Sequence, residues 1–228
     1  MKKDKKLIII GTGETADIAF EYFTYDSEYE VVGYAASEVL IRDNQYNGLP
    51  VYPFEKLLDY FTPKEVKLYI AISYVKLNRV RKKLFLQAKD MGFTCANYIS
   101  SRAFLWRNVE MGENNFIFEN NVIQHKVKLG NNIILWSGNH IGHQTRIEDH
   151  VYITSHCVIS GFCTIGESSF IGVNSTFNDT IILGKDNIVG SGALIVKNTE
   201  DGKLMIGSPA KPALKTSYET FKVNPEEI

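Results

Sequence analysis

Residues 140–166 read HIGHQTRIEDHVYITSHCVISGFCTIG, and every sixth residue from Ile141 to Ile165 is isoleucine. A period of six fits neither the 3.6-residue period of an amphipathic helix nor the two-residue period of a half-buried strand. It is typical of a solenoid and predicts a hexapeptide β-helix. The period keeps one register through apolar residues only: Ile99, Leu105, Met111, Ile117, Ile123, Leu129, Leu135, Ile141, Ile147, Ile153, Ile159, Ile165, Ile171, Phe177, Leu183, Val189 and Ile195.

The neighbouring positions support this prediction. The residue two places earlier is mostly small or narrow, as at Thr145 and Cys157, and the residue one place later is often glycine, as at Gly142 and Gly166. Each unit then forms a short strand and a corner, with the aliphatic side chain inside. Three units close a triangular coil of 18 residues, so residues 18 apart lie above one another at about the 4.8 Å spacing of strands.

The composition excludes several classes of protein. The 228 residues, 44% of them apolar, are enough for two modest globular domains, and a net charge of −1 gives no electrostatic basis for binding nucleic acid. Three cysteines make no disulfide framework, and Cys157 and Cys163 fall in the narrow interior column, which favours packed thiols in a reducing, cytoplasmic compartment. The apolar run before Gly11 is short, so we expect no signal peptide and no membrane span.

The chain before the hexads predicts a small α/β domain. A strand over Lys6–Ile10 leads into a G-x-G-x-x-A turn, a helix to about Tyr25 and a second strand over Tyr29–Ala35. The N–H groups and the dipole at the start of such a helix suit a phosphate, although the turn can also serve only to pack the helix on the strand. We expect a nucleotide to contact the first four residues of the turn, which are Gly11, Thr12, Gly13 and Glu14.

The rest of this domain places further polar residues near the same edge. The pattern predicts helices over Phe54–Phe61 and Leu77–Met91, the latter capped by Gly92, and strands over Lys67–Ser73 and Phe93–Ile99. These elements predict a sheet of three or four parallel strands, and such open sheets bind ligands at the carboxyl ends of their strands. Substrate contacts are therefore expected from Ser73, Asn78 and Arg79. Arg81, Lys82 and Lys83 could also contact a phosphate, but a solvated helix face explains these three basic residues equally well.

The histidines indicate the chemistry. Four of the five lie between His140 and His156, and His125 precedes His143 by 18 residues, so these two share a column on adjacent coils. Both follow the inward position by two residues, at an outward-facing corner, where an imidazole can take a proton from an attacking amine or hydroxyl. Gly161 is next in the column, and a glycine with an open backbone N–H would stabilise an oxyanion. The column predicts acyl transfer; a histidine in an inter-subunit hydrogen bond is the alternative.

Four short motifs accompany the hexads: Ser137-Gly138-Asn139-His140-Ile141-Gly142-His143-Gln144, Ile171-Gly172-Val173-Asn174-Ser175, Gly190-Ser191-Gly192-Ala193 and Gly207-Ser208-Pro209-Ala210-Lys211. With them the chain up to Lys211 resembles the left-handed β-helix acyltransferases. The added G-T-G turn is similar to one branch, the bacterial nucleotide-sugar N-acetyltransferases and the related sialic acid O-acetyltransferases.

The resemblance implies a Rossmann-like α/β nucleotide-sugar-binding domain over 1–98, a left-handed parallel β-helix acyltransferase domain over 99–206 and a C-terminal turn and tail over 207–228. It implies a cytoplasmic homotrimer that acetylates the amino group of a UDP-, dTDP- or GDP-linked sugar for bacterial lipopolysaccharide or other surface glycans. Acetyl-CoA would lie between two β-helices, and no metal ion is required. At the end of the second strand Ala35-Ala36 replaces the family's acidic pair, which leaves the nucleotide base open.

The resemblance also assigns roles to individual residues. His143 is the general base, Gln144 replaces the carboxylate that usually orients it, and His140 contacts the substrate. The coenzyme side is implied to include Gly161, Asn174, Gly190, Gly192, Gly207, Pro209 and Lys211.

Three other functions are compatible with the same residues. A sialic acid O-acetyltransferase differs only in the acceptor atom. A metal hydratase of the γ-carbonic-anhydrase type would use His125, His140 and His143 on zinc across subunits, but its members generally lack an N-terminal nucleotide domain. A non-catalytic trimeric scaffold would use the histidines only at its interfaces.

Overall fold

A computed structural model describes residues 3–226, so the ends of the first and last predicted segments, residues 1–2 and 227–228, lie outside the described residues. The N-terminal part is a five-stranded sheet with the order β3-β4-β2-β1-β5, in which only the β3–β4 pair is antiparallel. Its strands are β1 (Lys5–Ile10), β2 (Tyr29–Ala36), β3 (Gln45–Tyr46), β4 (Leu49–Pro53) and β5 (Val66–Ile70). Its helices are α1 (Glu14–Tyr25), α2 (Arg79–Asp90) and the 3₁₀ helices Glu38–Leu40 and Phe54–Asp59.

Several element boundaries differ from the prediction, and the strand expected over Lys67–Ser73 already ends at Ile70 as β5. The helix expected over Phe54–Phe61 is a 3₁₀ helix that ends at Asp59 and is kinked at Lys56. Of the strand expected over Phe93–Ile99, only an isolated bridge between Leu68 and Cys95 joins the N-terminal sheet, and Tyr98–Ile99 pairs instead within the β-helix, because the chain leaves the sheet here to enter the first coil. The helix α2 begins two residues late, at Arg79, because the backbone before it turns with positive φ.

The C-terminal part is the hexapeptide β-helix that the period predicts. From residue 98 to residue 177 each strand pairs in parallel with the strand 18 residues later, as in Val122 beside His140 and Ile123 beside Ile141. The strands β6 to β22 are Tyr98–Ile99, Phe104–Leu105, Glu110–Met111, Phe116–Ile117, Val122–Ile123, Lys128–Leu129, Ile134–Leu135, His140–Ile141, Arg146–Ile147, Tyr152–Ile153, Val158–Ile159, Thr164–Ile165, Phe170–Ile171, Thr176–Phe177, Ile182–Leu183, Ile188–Val189 and Leu194–Ile195. The chain ends with the hairpin β23 (Leu204–Gly207) and β24 (Ala210–Pro212) and the helix α3 (Ser217–Phe221).

Three sheets form the sides of the coil. One has six strands, from β7 to β22; one has five, from β8 to β20; the third has eight and includes β6, β23 and β24. The inward side chains from Ile117 to Ile195 are buried, whereas Ile99 in the first coil is 38% exposed because no coil lies beneath it. Cys157 and Cys163 are buried free thiols, as predicted, and burial raises the pKa of Cys157 to about 11.

The N-terminal part packs on the eight-stranded side. Outward residues of that sheet, including Phe116 and Tyr152, join the apolar core beneath α1, where the rings of Phe23 and Phe116 lie 5.8 Å apart. Ion pairs then attach α2 to the same side of the β-helix. Their shortest N–O distances are 2.8 Å for Lys82–Glu167, 2.7 Å for Lys89–Glu113 and 2.7 Å for Arg79–Asp186.

Arg81 is not on a solvated helix face. Its side chain is fully buried, and its Nη2 donates to Asn78 Oδ1 at 2.9 Å and to the His150 carbonyl at 3.2 Å. The guanidinium lies 5.7 Å from the centre of the Tyr152 ring, and burial lowers its pKa to about 10. That interpretation is therefore wrong for Arg81, which joins the two parts of the chain.

Within residues 3–226, no helix combines the length and the apolar character that crossing a membrane requires.

Candidate functional site

A cavity of about 480 Å³ lies between the G-T-G turn and the β-helix. It brings together five of the predicted substrate contacts, Gly11, Thr12, Gly13, Glu14 and Ser73. The remaining lining comes from Thr15, Ile18, Ala71, Ile72, Tyr74, Val75, Trp136 and Tyr152. The cavity thus sits at the carboxyl ends of β1 and β5, the expected edge of the sheet.

The turn at this cavity has a defined backbone requirement. Gly11 has φ +126°, and a Cβ there would come within 2.9 Å of the Ala71 carbonyl oxygen, so only glycine fits. Gly13 is the N-cap of α1, and no side chain caps the helix. The start of α1 therefore presents backbone N–H groups and the positive end of the helix dipole to the cavity, which suits a phosphate.

Aromatic side chains form the opposite wall, and sequence analysis missed them. Trp136 Nε1 donates to the Tyr152 hydroxyl at 2.6 Å, and the ring of Tyr74 lies 5.1 Å from that of Tyr152. The outward position of every third hexad is large and apolar at Phe116, Ile134 and Tyr152, which marks the covered side of the β-helix. This pattern of large apolar outward residues could have been found in the sequence, and it would have predicted the covered side.

A second cavity, of about 500 Å³, lies on the other side of Gly11 and Thr12. Its lining includes Ser37, Glu55 and Lys83. Burial raises the pKa of Glu55, but hydrogen bonds from Ser37 Oγ (2.6 Å) and the Glu38 backbone N–H (3.0 Å) outweigh it and bring the pKa below its usual value. A carboxylate thus stands near the end of β2, where Ala35-Ala36 provides none.

Asn78 and Arg79 are placed differently from the prediction. Asn78 is fully buried and its Nδ2 donates to the Ser168 carbonyl at 3.2 Å. Arg79 borders the second cavity, but its Nη2 lies 2.7 Å from Asp186 Oδ1, and the residue is 8% exposed. In this structure the Asn78 side chain fixes α2 on the β-helix and does not reach either cavity, and Arg79 is already paired with a carboxylate, so the substrate contacts expected from these two residues stay a prediction.

His143 lies at the corner between the six-stranded and five-stranded sides. Its ring stacks on His125 with centroids 5.5 Å apart, as expected for one column, and meets the edge of Phe162 at 5.0 Å. The backbone N–H of His143 donates to Gln124 Oε1 at 2.9 Å. Its Nδ1 is buried and has no hydrogen-bond partner among residues 3–226.

Two predictions about the surroundings of His143 need correction. The N–H of Gly161 is not open, because it donates to Asp179 Oδ1 at 2.9 Å, one coil further along the column. Gly161 instead makes room for the imidazole, since a Cβ there would lie 2.7 Å from His143 Cε1. Gln144 is exposed with φ +58° and, within the described chain, its side chain does not partner the buried Nδ1 of His143.

Within one chain, neither cavity at the G-T-G turn lies next to His143. The cavity at the G-T-G turn opens on the eight-stranded side, whereas His143 lies at the far edge of the six-stranded side. A side of six residues spans roughly 20 Å at about 3.3 Å per residue. His140 faces outward from the six-stranded sheet and is likewise apart from the cavity.

Apart from Gly161, which lies beside His143, the residues expected on the coenzyme side form two groups. Asn174 and Gly192 follow strands of the eight-stranded sheet and stack at its corner with the six-stranded sheet, where the Gly192 N–H donates to the Val173 carbonyl at 2.8 Å. Gly190 precedes this corner. Gly207, Pro209 and Lys211 belong to the β23–β24 hairpin segment, and the last two line a cavity of about 500 Å³ at the end of the β-helix.

The part of the chain from residue 3 to residue 226 holds no group of three or more His, Cys, Asp or Glu side chains arranged to hold a metal ion within one copy.

Comparison with known proteins gives a local match in sequence and a match over more than nine-tenths of the chain in structure. No protein-family model matches the chain. Two mitochondrial γ carbonic anhydrases of Arabidopsis thaliana are 37% and 33% identical over 73 residues. These matches span 31% of this chain and only about a quarter (26%) of the length of those relatives.

The solved structures match both parts of the chain. The acetyltransferase domain of PglB from Neisseria gonorrhoeae, in complex with acetyl coenzyme A, is 25% identical with a TM-score of 0.81, over 92% of this chain and all (100%) of that one. PerB from Caulobacter crescentus, in complex with CoA and GDP-perosamine, is 26% identical with a TM-score of 0.79, over 91% and 97% of the two chains. WeeI from Acinetobacter baumannii, 19% identical with a TM-score of 0.74 over 92% and 100%, shares the fold. The chain is therefore an acyltransferase with the α/β domain and left-handed β-helix of the sugar N-acetyltransferases.

Proposed function

We propose that this protein transfers the acetyl group of acetyl-CoA to the amino group of a nucleotide-linked amino-deoxy sugar, in the cytoplasm of a bacterium that builds a surface glycan. The observation that carries the proposal is the match of both parts of the chain, at 25–26% identity, to acetyltransferases whose structures hold acetyl coenzyme A or CoA with GDP-perosamine. The cavity at the G-T-G turn supports the nucleotide half of the proposal, since its helix N-terminus suits a diphosphate.

In the proposed reaction the neutral sugar amine attacks the thioester carbonyl carbon of acetyl-CoA. A C–N bond forms, and His143 takes the proton that the amine releases. The C–S bond then breaks, and the proton passes from the imidazolium to the departing sulfur, so that CoA leaves as the thiol. Orientation and base catalysis supply the acceleration that this step needs.

The position of His143 supports its role as the base. The ring stands in an outward corner between His125 and Phe162, and Gly161 leaves the space beside Cε1 and Nε2 that a larger residue would fill. Its Nδ1 is buried within the chain and has no partner among the described residues, so a group from outside the chain does not reach it. We propose that the substrate meets the other ring nitrogen, Nε2, which then accepts the proton of the amine.

We further propose that the active unit is a homotrimer with each site shared by two copies. The eight-stranded side is covered by the N-terminal part, and the five-stranded side carries charged outward residues such as Lys128 and Arg146. The six-stranded side is apolar and uncovered in one chain, with Val122 37% and Val158 41% exposed. Packing of the six-stranded side against a second copy would bring the nucleotide cavity of that copy to the edge where His143 lies.

The proposal is tested by thiol release from acetyl-CoA with a panel of UDP-, dTDP- and GDP-linked 3- and 4-amino sugars. One of them should release CoA and gain the mass of an acetyl group, and His143→Asn should lower kcat by about 10²–10⁴-fold, the usual contribution of a general base. Sugars with hydroxyl acceptors, including sialic acids, form the second arm of the panel. Acetylation of a hydroxyl acceptor alone, or a His143→Asn variant as active as the wild type, would overturn the proposal.

A further inference from the structure

The loop over residues 73–78 separates the two cavities at the G-T-G turn. Ser73, Tyr74 and Val75 line the first cavity, and Lys76 lines the second. The loop therefore touches both halves of any ligand that crosses Gly11 and Thr12.

Its backbone is strained. Three consecutive residues other than glycine have left-handed φ angles, 50° at Lys76, 50° at Leu77 and 65° at Asn78. Asn tolerates this region, but Lys and Leu seldom adopt it. Such a conformation persists only where the surroundings fix it, so the neighbours of the loop determine its shape.

The C-terminal clamp, which we define as residues 216–223, supplies one set of these neighbours. The fully buried side chain of Leu77 packs with Val223 of the clamp and with Ile188 of the β-helix. The ring of Phe221 lies 6.0 Å from that of Tyr74. Apolar contacts from the clamp thus reach both ends of the loop.

A chain of polar contacts runs from the clamp to the same turn. The Tyr218 hydroxyl donates to Asp186 Oδ2 at 3.2 Å, and Asp186 Oδ1 lies 2.7 Å from Arg79 Nη2. Arg79 Nη1 in turn donates to the Leu77 carbonyl at a long 3.5 Å. Asp186 is 5% exposed, so this charged contact is shielded from water and holds its geometry.

The clamp has its own local order. Thr216 and Glu219 form a capping box at the start of α3, with the Thr216 N–H donating to Glu219 Oε2 at 2.7 Å. The ring of Tyr218 occupies the space above Gly202, where a Cβ would lie 2.3 Å from its Cε2. These contacts seat the clamp in one place on the β-helix.

We propose that the C-terminal clamp is a positioning element for the substrate: it holds the 73–78 loop in the strained form that binds the nucleotide sugar. This inference rests on the proposed function for the identity of the ligand. The contact between clamp and loop can nevertheless be tested without it.

The first test measures the loop itself. Hydrogen exchange of the amides of residues 73–79, followed by mass spectrometry, is compared in the wild type, Val223→Ala, Tyr218→Phe and the control Leu214→Ala. Leu214 lies just before the clamp and is fully exposed, so its truncation removes no packing. We expect exchange about tenfold faster or more in the two clamp variants and wild-type exchange in the control.

The second test measures binding and turnover. In Val223→Ala and Tyr218→Phe, the KM for the nucleotide sugar should rise about five- to tenfold, while the KM for acetyl-CoA and kcat stay within about twofold. Tyr218→Phe retains the aromatic ring and removes only one hydroxyl, so it tests the positioning role in a folded protein even if Val223→Ala unfolds.

Two results would contradict the positioning role of the clamp. One is wild-type exchange of the 73–79 amides in both clamp variants; the other is a fall in kcat with an unchanged KM for the nucleotide sugar. If the wild type turns over no nucleotide sugar, the proposed function fails, and the exchange comparison alone decides whether the clamp holds the loop.

Discussion

At the scale of single residues, the corner around His143 depends on a missing side chain. Gly161 is in a backbone region open to any residue, yet its Cβ position lies 2.7 Å from His143 Cε1 and 2.8 Å from Nε2. Gly161→Ala should therefore displace the imidazole and lower kcat by at least about tenfold, with little change in thermal stability. The neighbouring Gln144→Ala, which removes an exposed side chain, should retain activity within about twofold of the wild type. Steady-state kinetics and a melting curve check both, and wild-type kcat in Gly161→Ala would contradict the expectation.

His150 gives the protein a pH dependence of stability. Burial, followed by the charges of Arg81, Lys82 and Arg79, lowers the pKa of His150 from 6.5 to about 3, while Asn132 Nδ2 lies 2.9 Å from its Nδ1. The unfolded chain takes up a proton below pH 6.5 and the folded chain does not. The free energy of unfolding should therefore fall as pH drops below 6.5, by up to about 1.4 kcal/mol per pH unit.

His150→Asn is the matched variant, because asparagine tolerates the φ of 63° at this position and cannot titrate. Urea unfolding at pH 7 and pH 5 should show a loss of stability that is about 1–2 kcal/mol smaller in the variant than in the wild type. Equal losses in the two proteins would show that His150 is not the titrating group.

At the scale of elements, the stability of the β-helix resides in its inward column. Ile159 is fully buried in β16, whereas Ile182 in β20 faces outward and is 52% exposed. Ile159→Ala should lower the free energy of unfolding by about 2–5 kcal/mol, because it removes buried methyl groups and leaves a cavity. Ile182→Ala should change it by less than about 1 kcal/mol. Denaturant unfolding of both variants checks this, and similar losses would contradict the assigned faces.

The sequence predicts this element well because its period repeats through the whole solenoid. Each inward position is reinforced by apolar neighbours 18 residues away, so local and long-range contacts agree. The strand expected over Phe93–Ile99 fails for the opposite reason, since only the course of the chain into the first coil decides where it pairs. The positive φ angles before α2 could not be predicted either, because they depend on tertiary contacts of Leu77 and Asn78.

The candidate site was predictable in part. The glycines of the G-T-G turn, which the backbone requires, predict the cavity there, and the spacing of 18 residues predicts that His125 lies beside His143. The occupied N–H of Gly161 was not predictable, because Asp179 reaches it only through the stacking of coils. The burial of Arg81 was not predictable for the same reason, because a helix rich in basic residues is expected to face solvent unless the surface that covers it is known.

At the scale of the whole molecule, the apolar six-stranded side should hold copies of the chain together. Val158→Glu would place a charge in that face, next to His140. We expect a folded monomer in analytical ultracentrifugation and a loss of turnover of about 10²-fold or more, because burying an unpaired charge is costly. The control Ile182→Glu, on the charged five-stranded side, should keep the assembly and the activity. An assembled and active Val158→Glu protein would contradict the role of this side.

The separation of the cavity from His143 also calls for a variant that disables the cavity alone. Gly13 is the uncapped N-cap of α1 with φ −123°, and a Cβ there meets no atom within 4 Å. In Gly13→Asp the carboxylate should cap the helix, so that stability is retained, while its charge repels a phosphate at the same place. Nucleotide binding should weaken by about tenfold or more, as titration calorimetry would measure.

The most direct test of the account mixes two proteins that are each deficient in one half of the site, assayed at a nucleotide-sugar concentration well below the wild-type KM, where weakened binding limits turnover. Gly13→Asp keeps His143 and has a weakened nucleotide cavity; His143→Ala keeps the cavity and loses the base. Co-expressed with two different tags and purified as mixed oligomers, they should recover up to about a quarter of wild-type thiol release, the share of shared sites that random pairing leaves intact. Mixed oligomers with no activity above either variant alone would show that each site lies within a single chain and would contradict the account.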